Sequence, residues 1–66
     1  MKQYLIGIDG NEANVVKRVG SNQYAFGILT AIHNFHPENT RFIIYLKSAP
    51  LPDLPSPSTW WQYKII

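Results

Sequence analysis

A near-continuous apolar run close to the start of the chain, residues 4–8, constrains the fold more than any other feature. It is interrupted by a single glycine and ends in Asp9 and Gly10. Apolar runs without polar alternation are typical of strands that are covered on both faces, as in parallel sheets. Residues 41–47 form a second apolar and aromatic run, with a charge at each end. Together the runs predict two parallel strands, which need a crossover between them.

The segment between these runs has the pattern of an amphipathic helix of about fourteen residues. Ser21 stands before its apolar residues, and its hydroxyl can accept a bond from a first-turn N–H, which predicts an N-cap. Pro37 ends the helix, because the residue before a proline is steered away from helical angles. Gly27 lies inside the helix, and we expect it to let the helix approach the sheet closely. The apolar stripe consists of Ala25, Ile28, Leu29, Ile32 and Phe35.

The last third of the chain contains a proline-rich stretch and one more apolar run. The four prolines of residues 50–57 make that stretch stiff and extended, and we interpret it as a loop within the domain. Residues 59–66 predict a third strand. The predicted fold class is therefore α/β, a partial Rossmann-like β-α-β unit with a third strand, in a parallel sheet with a right-handed crossover. One helix leaves one sheet face poorly covered, which predicts an incomplete domain, or a homo-oligomer formed through the exposed sheet face.

Size and composition limit what this chain can do alone. A single domain over residues 1–66 buries only about 60% of the surface that its unfolded chain exposes. The chain has no cysteine, which excludes disulfides and thiolate metal sites. His33 and His36 are too few for a closed metal cage, so we expect no metal and interpret both as solvated residues near the helix end.

Charge and hydropathy point to a cytoplasmic protein without a nucleic-acid partner. The net charge of +2 comes from singly scattered residues, with Lys17 and Arg18 as the only adjacent basic pair, whereas nucleic-acid binders usually carry a basic cluster. The apolar start is too short for a signal peptide or a membrane span.

The long polar connection from residue 10 to residue 20 is where we expect function. Ligands of open α/β sheets bind beyond the carboxyl ends of the strands, and loops of this length are often functional. Gly20 would let the backbone approach a phosphate, and the helix N-terminus at Ser21 would offer free N–H groups. The alternative for this pair is a turn followed by a cap. Lys17 and Arg18 could add positive charge nearby.

Two further pairs have a chemical and a structural interpretation. Asp9 and Glu12 could act as an acid/base pair, or Asp9 could be a strand-end residue that hydrogen-bonds the loop. Trp60 and Trp61 could stack on a sugar ring. Because adjacent strand residues point to opposite faces of a sheet, we expect at most one of them to do so. The alternative is that both tryptophans pack in the core. The dinucleotide fingerprint and the P-loop are both missing from the sequence, which argues against classical NAD binding and NTP hydrolysis.

Several stretches of the chain together resemble a known family: residues 6–14, 18–26 and 42–46, followed by 50–55 and 60–63. They are similar to the N-terminal start of bacterial glycosyltransferases of the GT-B fold, in the large retaining family that includes sucrose synthases and mannosyltransferases. The resemblance implies two Rossmann-like domains that face a cleft. The N-terminal domain receives the sugar acceptor, and the C-terminal domain holds the nucleotide-sugar donor.

This resemblance assigns roles to the loop and to the helix start. Gly20 and Ser21 would contact the phosphate or the sugar of the donor. The loop on the acceptor side would contribute Asp9, Asn11, Glu12 and Arg18. The family pattern has a second glycine near this loop, and this sequence departs from it there.

The resemblance also implies partners. The nucleotide-sugar is a substrate, so no cofactor is expected, and the donor-binding C-terminal domain and the sugar acceptor are the expected partners. The chain would then be an N-terminal fragment that is inactive alone. The rival interpretations are a small non-catalytic binding or self-assembly module, and the start of another Rossmann-like enzyme such as an epimerase or a phosphatase.

Overall fold

The computed structural model describes residues 2–66, which form three strands and one helix. β1 spans Tyr4–Asp9, α1 spans Ser21–Phe35, β2 spans Thr40–Leu46 and β3 spans Trp61–Ile65. The strands make one parallel sheet in the order β1-β2-β3. The predicted α/β class, the parallel sheet and the third strand are therefore confirmed. Within residues 2–66, no helix combines the length and the apolarity needed to traverse a bilayer.

The register of the sheet sorts its side chains onto two faces. Ile6 and Ile8 of β1 lie opposite Phe42 and Ile44 of β2, and Phe42 lies opposite Trp61 of β3. Partners in a parallel register point to the same side of a sheet. These side chains all lie on the side that packs against α1, which we call the helix face. The other side is the open face.

The hydrophobic core lies between the helix face, α1 and two of the loops. β2 is the central strand and supplies three of its members, two of them fully buried. Burying a side chain of this size contributes about 1.5–3 kcal/mol. Leu54 brings the proline-rich stretch into the core, so this stretch packs as a loop of the domain. The buried apolar residues are Ala13, Leu29, Phe42, Ile44, Leu46, Leu54 and Trp61.

No helix or strand within residues 2–66 covers the open face of the sheet. Ile43 and Tyr45 are half-buried there, while Leu5, Arg41 and Lys64 are exposed. Because of the exposed charges on β2 and β3, this face carries both apolar and charged side chains. The predicted imbalance between the two faces is confirmed.

Residues with positive φ precede and follow α1. Gly20 has φ 53° and ψ −120°, and His36 has φ 47° and donates its N–H to the carbonyl of Ile32 over 3.1 Å. The predicted N-cap at Ser21 is wrong, because Ser21 is the first helical residue and no side chain caps the helix. The backbone freedom of Gly20 sets the start of the helix instead. Pro37 follows His36, in agreement with the predicted end.

Gly27 does not bring α1 close to the sheet, contrary to our expectation. The residue is exposed, and a Cβ added there would meet no atom within 4 Å. The close approach occurs at Gly10, where a Cβ would lie 2.5 Å from Cγ2 of Ile44. The absence of a side chain at Gly10 therefore lets the loop leave β1 directly over the core.

We expect Gly27→Ala to raise the free energy of unfolding by about 0.5–1 kcal/mol, because alanine loses less conformational freedom than glycine in a helix interior. Gly10→Ala is the matched change and is expected to lower this free energy, since its Cβ would collide with Ile44. Urea unfolding followed by circular dichroism measures both. A destabilised Gly27→Ala variant would contradict the open surroundings of that residue.

Candidate functional site

The loop between β1 and α1, residues 10–20, crosses the carboxyl edge of the sheet and is fixed there by two asparagines. Oδ1 of Asn11 accepts the N–H of Lys47 over 2.8 Å. Oδ1 of Asn14 accepts the N–H of Leu51 over 2.9 Å. Both bonds satisfy backbone donors in the segment that follows β2, which would otherwise need water. The loop is therefore a fixed part of the domain.

Asp9 ends β1 and organises the first turn of the loop. Its Oδ1 accepts the backbone N–H and the side-chain Nδ2 of Asn11, each over 3.0 Å. Asp9 thus hydrogen-bonds the loop, as the structural alternative predicts. No hydrogen bond joins Asp9 to Glu12 in the described part of the chain. The two carboxylates have separate partners, and the described geometry does not join them as an acid/base pair.

Arg18 is held inward, and its side chain is only 10% exposed. Its Nε donates to the carbonyl of Ala13 over 2.8 Å, and its two Nη atoms donate to the two carboxylate oxygens of Asp53. Its Cζ also lies 3.9 Å from the ring centroid of Phe26. A bidentate pair and a cation–π contact together fix the guanidinium. Its charge is therefore engaged within the chain.

The Arg18–Asp53 pair also changes the acidity of both partners. The hydrogen bond from Arg18 holds the pKa of Asp53 below its ordinary value, and the same bond raises the pKa of Arg18. Sequence reasoning missed Asp53 as a partner. The available signal was its position as the single charged residue between the prolines of residues 50–57.

Glu12 connects the loop to the first turn of α1. Its carboxylate accepts the hydroxyl of Ser21 over 2.8 Å, and its backbone carbonyl accepts Nδ2 of Asn22 over 3.0 Å. A carboxylate near a helix N-terminus is stabilised by the positive end of the helix dipole. The structure thus brings Glu12 and Ser21 together, and the Ser21 hydroxyl is directed toward Glu12.

Gly20 is the most open point of this site. It is exposed, a Cβ added to it would meet no atom within 4 Å, and its positive φ favours glycine. The N–H groups of Asn22 and Tyr24 bond to carbonyls of residues just before the helix, at 3.0 and 3.2 Å. Those of Ser21 and Gln23 have no acceptor among residues 2–66. An approaching ligand therefore meets backbone donors and no side chain at residue 20.

A cavity of about 200 Å³ lies beside this loop, between β1 and α1. Its walls are mainly apolar side chains of these two elements, among them Ile8, Ile28 and Ile32. Tyr24 and Asp9 are the polar residues that border it, and the register directs the Asp9 side chain to the open face of the sheet. Ligand pockets commonly combine apolar walls with a few polar groups, and this one is smaller than most.

The tryptophans and the histidines meet near the C-terminal end of α1, at the edge of the sheet opposite to the loop. Trp60 stacks on His36 with ring centroids 3.7 Å apart and on His33 at 4.9 Å, and it meets Trp61 edge to face at 5.8 Å. Our prediction that the tryptophans point to opposite faces is wrong, because β3 begins only at Trp61. Our interpretation of the histidines as solvated residues holds for His36, which is exposed although its ring stacks on Trp60, whereas His33 is half-buried against both tryptophans. Neither tryptophan lies at the predicted sugar site.

Comparison with known proteins adds no relative: no protein-family model, no curated protein and no solved structure matches this chain. Its geometry defines the class, a small α/β protein with three parallel strands and one helix. Within residues 2–66, no group of three histidines or carboxylates is placed to hold a metal ion. The candidate site is the carboxyl edge of the sheet, with Gly20 at its open end.

We expect Asp53→Asn to lower the free energy of unfolding at pH 7 but not in acid. The folded-state pKa of Asp53 is depressed, so its contribution is present above the unfolded pKa of about 3.9 and is lost as the pH falls through the folded pKa. Urea unfolding at a series of pH values should show wild type and variant converging in acid. Arg18→Lys keeps the positive charge but removes the two parallel hydrogen bonds to Asp53, so it is expected to lower the free energy of unfolding at pH 7 by part of the same amount. If the free energies of unfolding of wild type and Asp53→Asn differed equally in acid and at pH 7, the assignment of this stability to the Asp53 carboxylate would be contradicted.

Proposed function

We propose that this chain is the N-terminal, acceptor-side part of a nucleotide-sugar-dependent glycosyltransferase of the GT-B type. In this proposal its sheet and helix are a partial Rossmann-like unit, and the loop and the start of α1 form one wall of a donor/acceptor cleft. The sequence resemblance supports it, and one structural observation carries it: the open backbone of Gly20, with φ 53°, at the start of a 15-residue helix. Ligands of open α/β sheets bind at the carboxyl edge where this glycine lies.

The start of α1 suits a phosphate oxygen of the donor. The N–H groups of Ser21 and Gln23 lack acceptors within residues 2–66, and the helix dipole places partial positive charge at this end. During transfer, negative charge develops on the departing nucleotide phosphate, and preorganised backbone donors stabilise such charge best where water is excluded. In this proposal a donor-binding C-terminal domain excludes that water.

Glu12 restricts which anion the site accepts. Its carboxylate already lies against the Ser21 hydroxyl, and it would repel a bare phosphate about 4 Å away by roughly 1 kcal/mol in water and more where solvent is excluded. The same carboxylate can accept a hydrogen bond from a sugar hydroxyl. The pairing of donor N–H groups with an acceptor carboxylate therefore favours a phosphosugar over free phosphate.

On the acceptor side, Asp9 is the residue best placed to touch a ligand. It is exposed at the carboxyl end of β1, where the register places its side chain on the open face beside Tyr45, and the two bonds from Asn11 both go to its Oδ1. Its other oxygen is then the one that would receive a sugar hydroxyl. Asn11 and Arg18 already bond within the chain, so we assign them to positioning the loop.

Titration of the ¹⁵N-labelled chain with nucleoside diphosphates and their sugar esters tests this proposal. We expect amide shifts at Gly20 and in the first turn of α1, and none around Trp60. Gly20→Ala is expected to weaken this binding, because alanine is strained at a positive φ. Gly27→Ala is the matched control, the same change within the helix, and should bind like wild type. Shifts confined to other regions would contradict the proposal.

The variant Glu12→Gln distinguishes the effect of this carboxylate on the phosphate of the ligand from its effect on the sugar. Removing the carboxylate charge is expected to tighten the binding of inorganic pyrophosphate by about fivefold, the equivalent of roughly 1 kcal/mol. The gain for a nucleotide-sugar should be smaller, because the variant accepts its sugar hydroxyl less strongly. Isothermal titration with both ligands measures the ratio. Equal gains for both ligands would show that Glu12 does not contact the sugar.

The rival function, a non-catalytic self-assembly module, predicts a different outcome. It predicts a monodisperse oligomer that binds none of these ligands, so the absence of binding in the same titrations distinguishes it.

A further inference from the structure

A second surface, formed by β1 and α1, is apolar and exposed. On the helix face of β1, Tyr4 is 54% exposed and Ile6 is 43% exposed. On α1, Tyr24 is 72%, Ile28 is 43% and Phe35 is 79% exposed. The three α1 residues follow one another by four and seven positions, so they form one stripe on the helix. We call these five side chains the β1–α1 surface.

This surface is continuous across the two elements. The cavity between β1 and α1 is lined by Ile8 from the strand and by Tyr24, Ile28 and Ile32 from the helix. The exposed stripe therefore lies on the side of α1 that faces β1. The opposite side of the helix carries His33, which packs on Trp60 and Trp61 and so lies toward β3. The cavity is the inner part of an apolar groove that opens to solvent beside β1.

One edge of β1 pairs with no strand among residues 2–66. Tyr4 and Gly10 donate their N–H groups toward β2, over 2.8 and 3.0 Å. Because strand residues alternate in direction, Leu5, Gly7 and Asp9 point their N–H and C=O groups to the free edge. The only charge of β1 is at its last residue, Asp9, and the strand contains no proline, although sheets commonly use both to blunt an edge strand. The edge can therefore accept another strand.

We propose that two copies of the chain pair through this edge about a two-fold axis perpendicular to the sheet. The two β1 strands would run antiparallel and join the sheets into one of six strands. With the axis at Ile6, Leu5 lies opposite the partner's Gly7, and both residues direct their backbone bonds outward. Ile6 then meets the partner's Ile6 on the helix face. The same axis keeps both helices on one face, so that their exposed stripes meet over the joined strands.

The area and the charge of this surface favour a second copy as its occupant. The chain exposes 4688 Å², whereas a folded monomer of 7.6 kDa is expected to expose about 4,300 Å². At about 200 Å² for each aromatic side chain, the exposed parts of Tyr4, Tyr24 and Phe35 supply about 400 Å² per copy. The isoleucines and the β1 backbone add further area to this. A standard interface takes ~800 Å² from each partner. All five side chains are uncharged, so pairing them buries no unpaired charge.

This inference does not rest on the proposed function, and the two compete for one edge. In the Rossmann strand order a later strand pairs with the free edge of β1, so a dimer through β1 would count against a Rossmann continuation without affecting the ligand site at the carboxyl edge. Sedimentation equilibrium of the whole chain is expected to give twice the monomer mass of 7.6 kDa. Ile6→Lys is expected to give monomers, because two ammonium groups would meet at the axis. Ile65→Lys is the matched control on the outer strand β3, where Ile65 is 56% exposed, and should remain a dimer. Circular dichroism checks that both variants fold.

A cysteine placed at the axis tests the same geometry without adding charge. The chain has no cysteine of its own, so Ile6→Cys can form a disulfide only between copies. Opposed Cα atoms of a non-hydrogen-bonded antiparallel pair lie about 4.5 Å apart, which a disulfide spans. With oxidised glutathione, Ile6→Cys should crosslink much faster than Ile65→Cys. A monomeric wild type, faster crosslinking at residue 65, or a dimer lost only in Ile65→Lys would overturn the proposal.

Discussion

The guanidinium of Arg18 is the interaction on which the arrangement of the loops depends. It bonds to the loop carbonyl of Ala13, to the carboxylate of Asp53 in the proline-rich stretch, and lies over the Phe26 ring of α1. The loop, α1 and the proline-rich stretch 35 positions further along the chain thus share one cation. Because Leu54 follows Asp53 directly, the same pair also fixes the residue through which the proline-rich stretch enters the core.

That stretch solves a topological problem without a helix. β2 and β3 are adjacent and parallel, and a parallel pair needs a crossover, which is usually helical. Here the residues between them make the connection, and a chain of hydrogen bonds fixes its end. Nε1 of Trp61 donates to the hydroxyl of Tyr63 over 2.9 Å, and that hydroxyl donates to the carbonyl of Pro55 over 2.6 Å. Burial raises the pKa of Tyr63 above its ordinary value, so this hydroxyl remains a donor further into the alkaline range.

The local sequence pattern predicted the strands and the helix. The side-chain pairs that it did not predict depend on contacts between residues far apart in the sequence. The three strands and the helix lie within two residues of their predicted bounds, because apolar runs and helical spacing are local properties. The pair of Arg18 and Asp53 joins residues 35 positions apart, a distance over which no periodicity operates. Ser21 fits a cap by composition, but its hydroxyl bonds to Glu12 and Gly20 supplies the turn. At the candidate site, the sequence predicted the loop and the glycine but not which side chains were already engaged.

The central position of β2 sets how stability is distributed over the molecule. β1 and β3 each have one neighbouring strand, and for both it is β2. If one outer strand detaches, the β2 amides that face it are freed, while those that face the other strand stay bonded, so β2 loses all of its strand bonds only when both neighbours leave. The carboxyl edge of the sheet therefore joins a central strand that is held from two sides to border strands that are held from one.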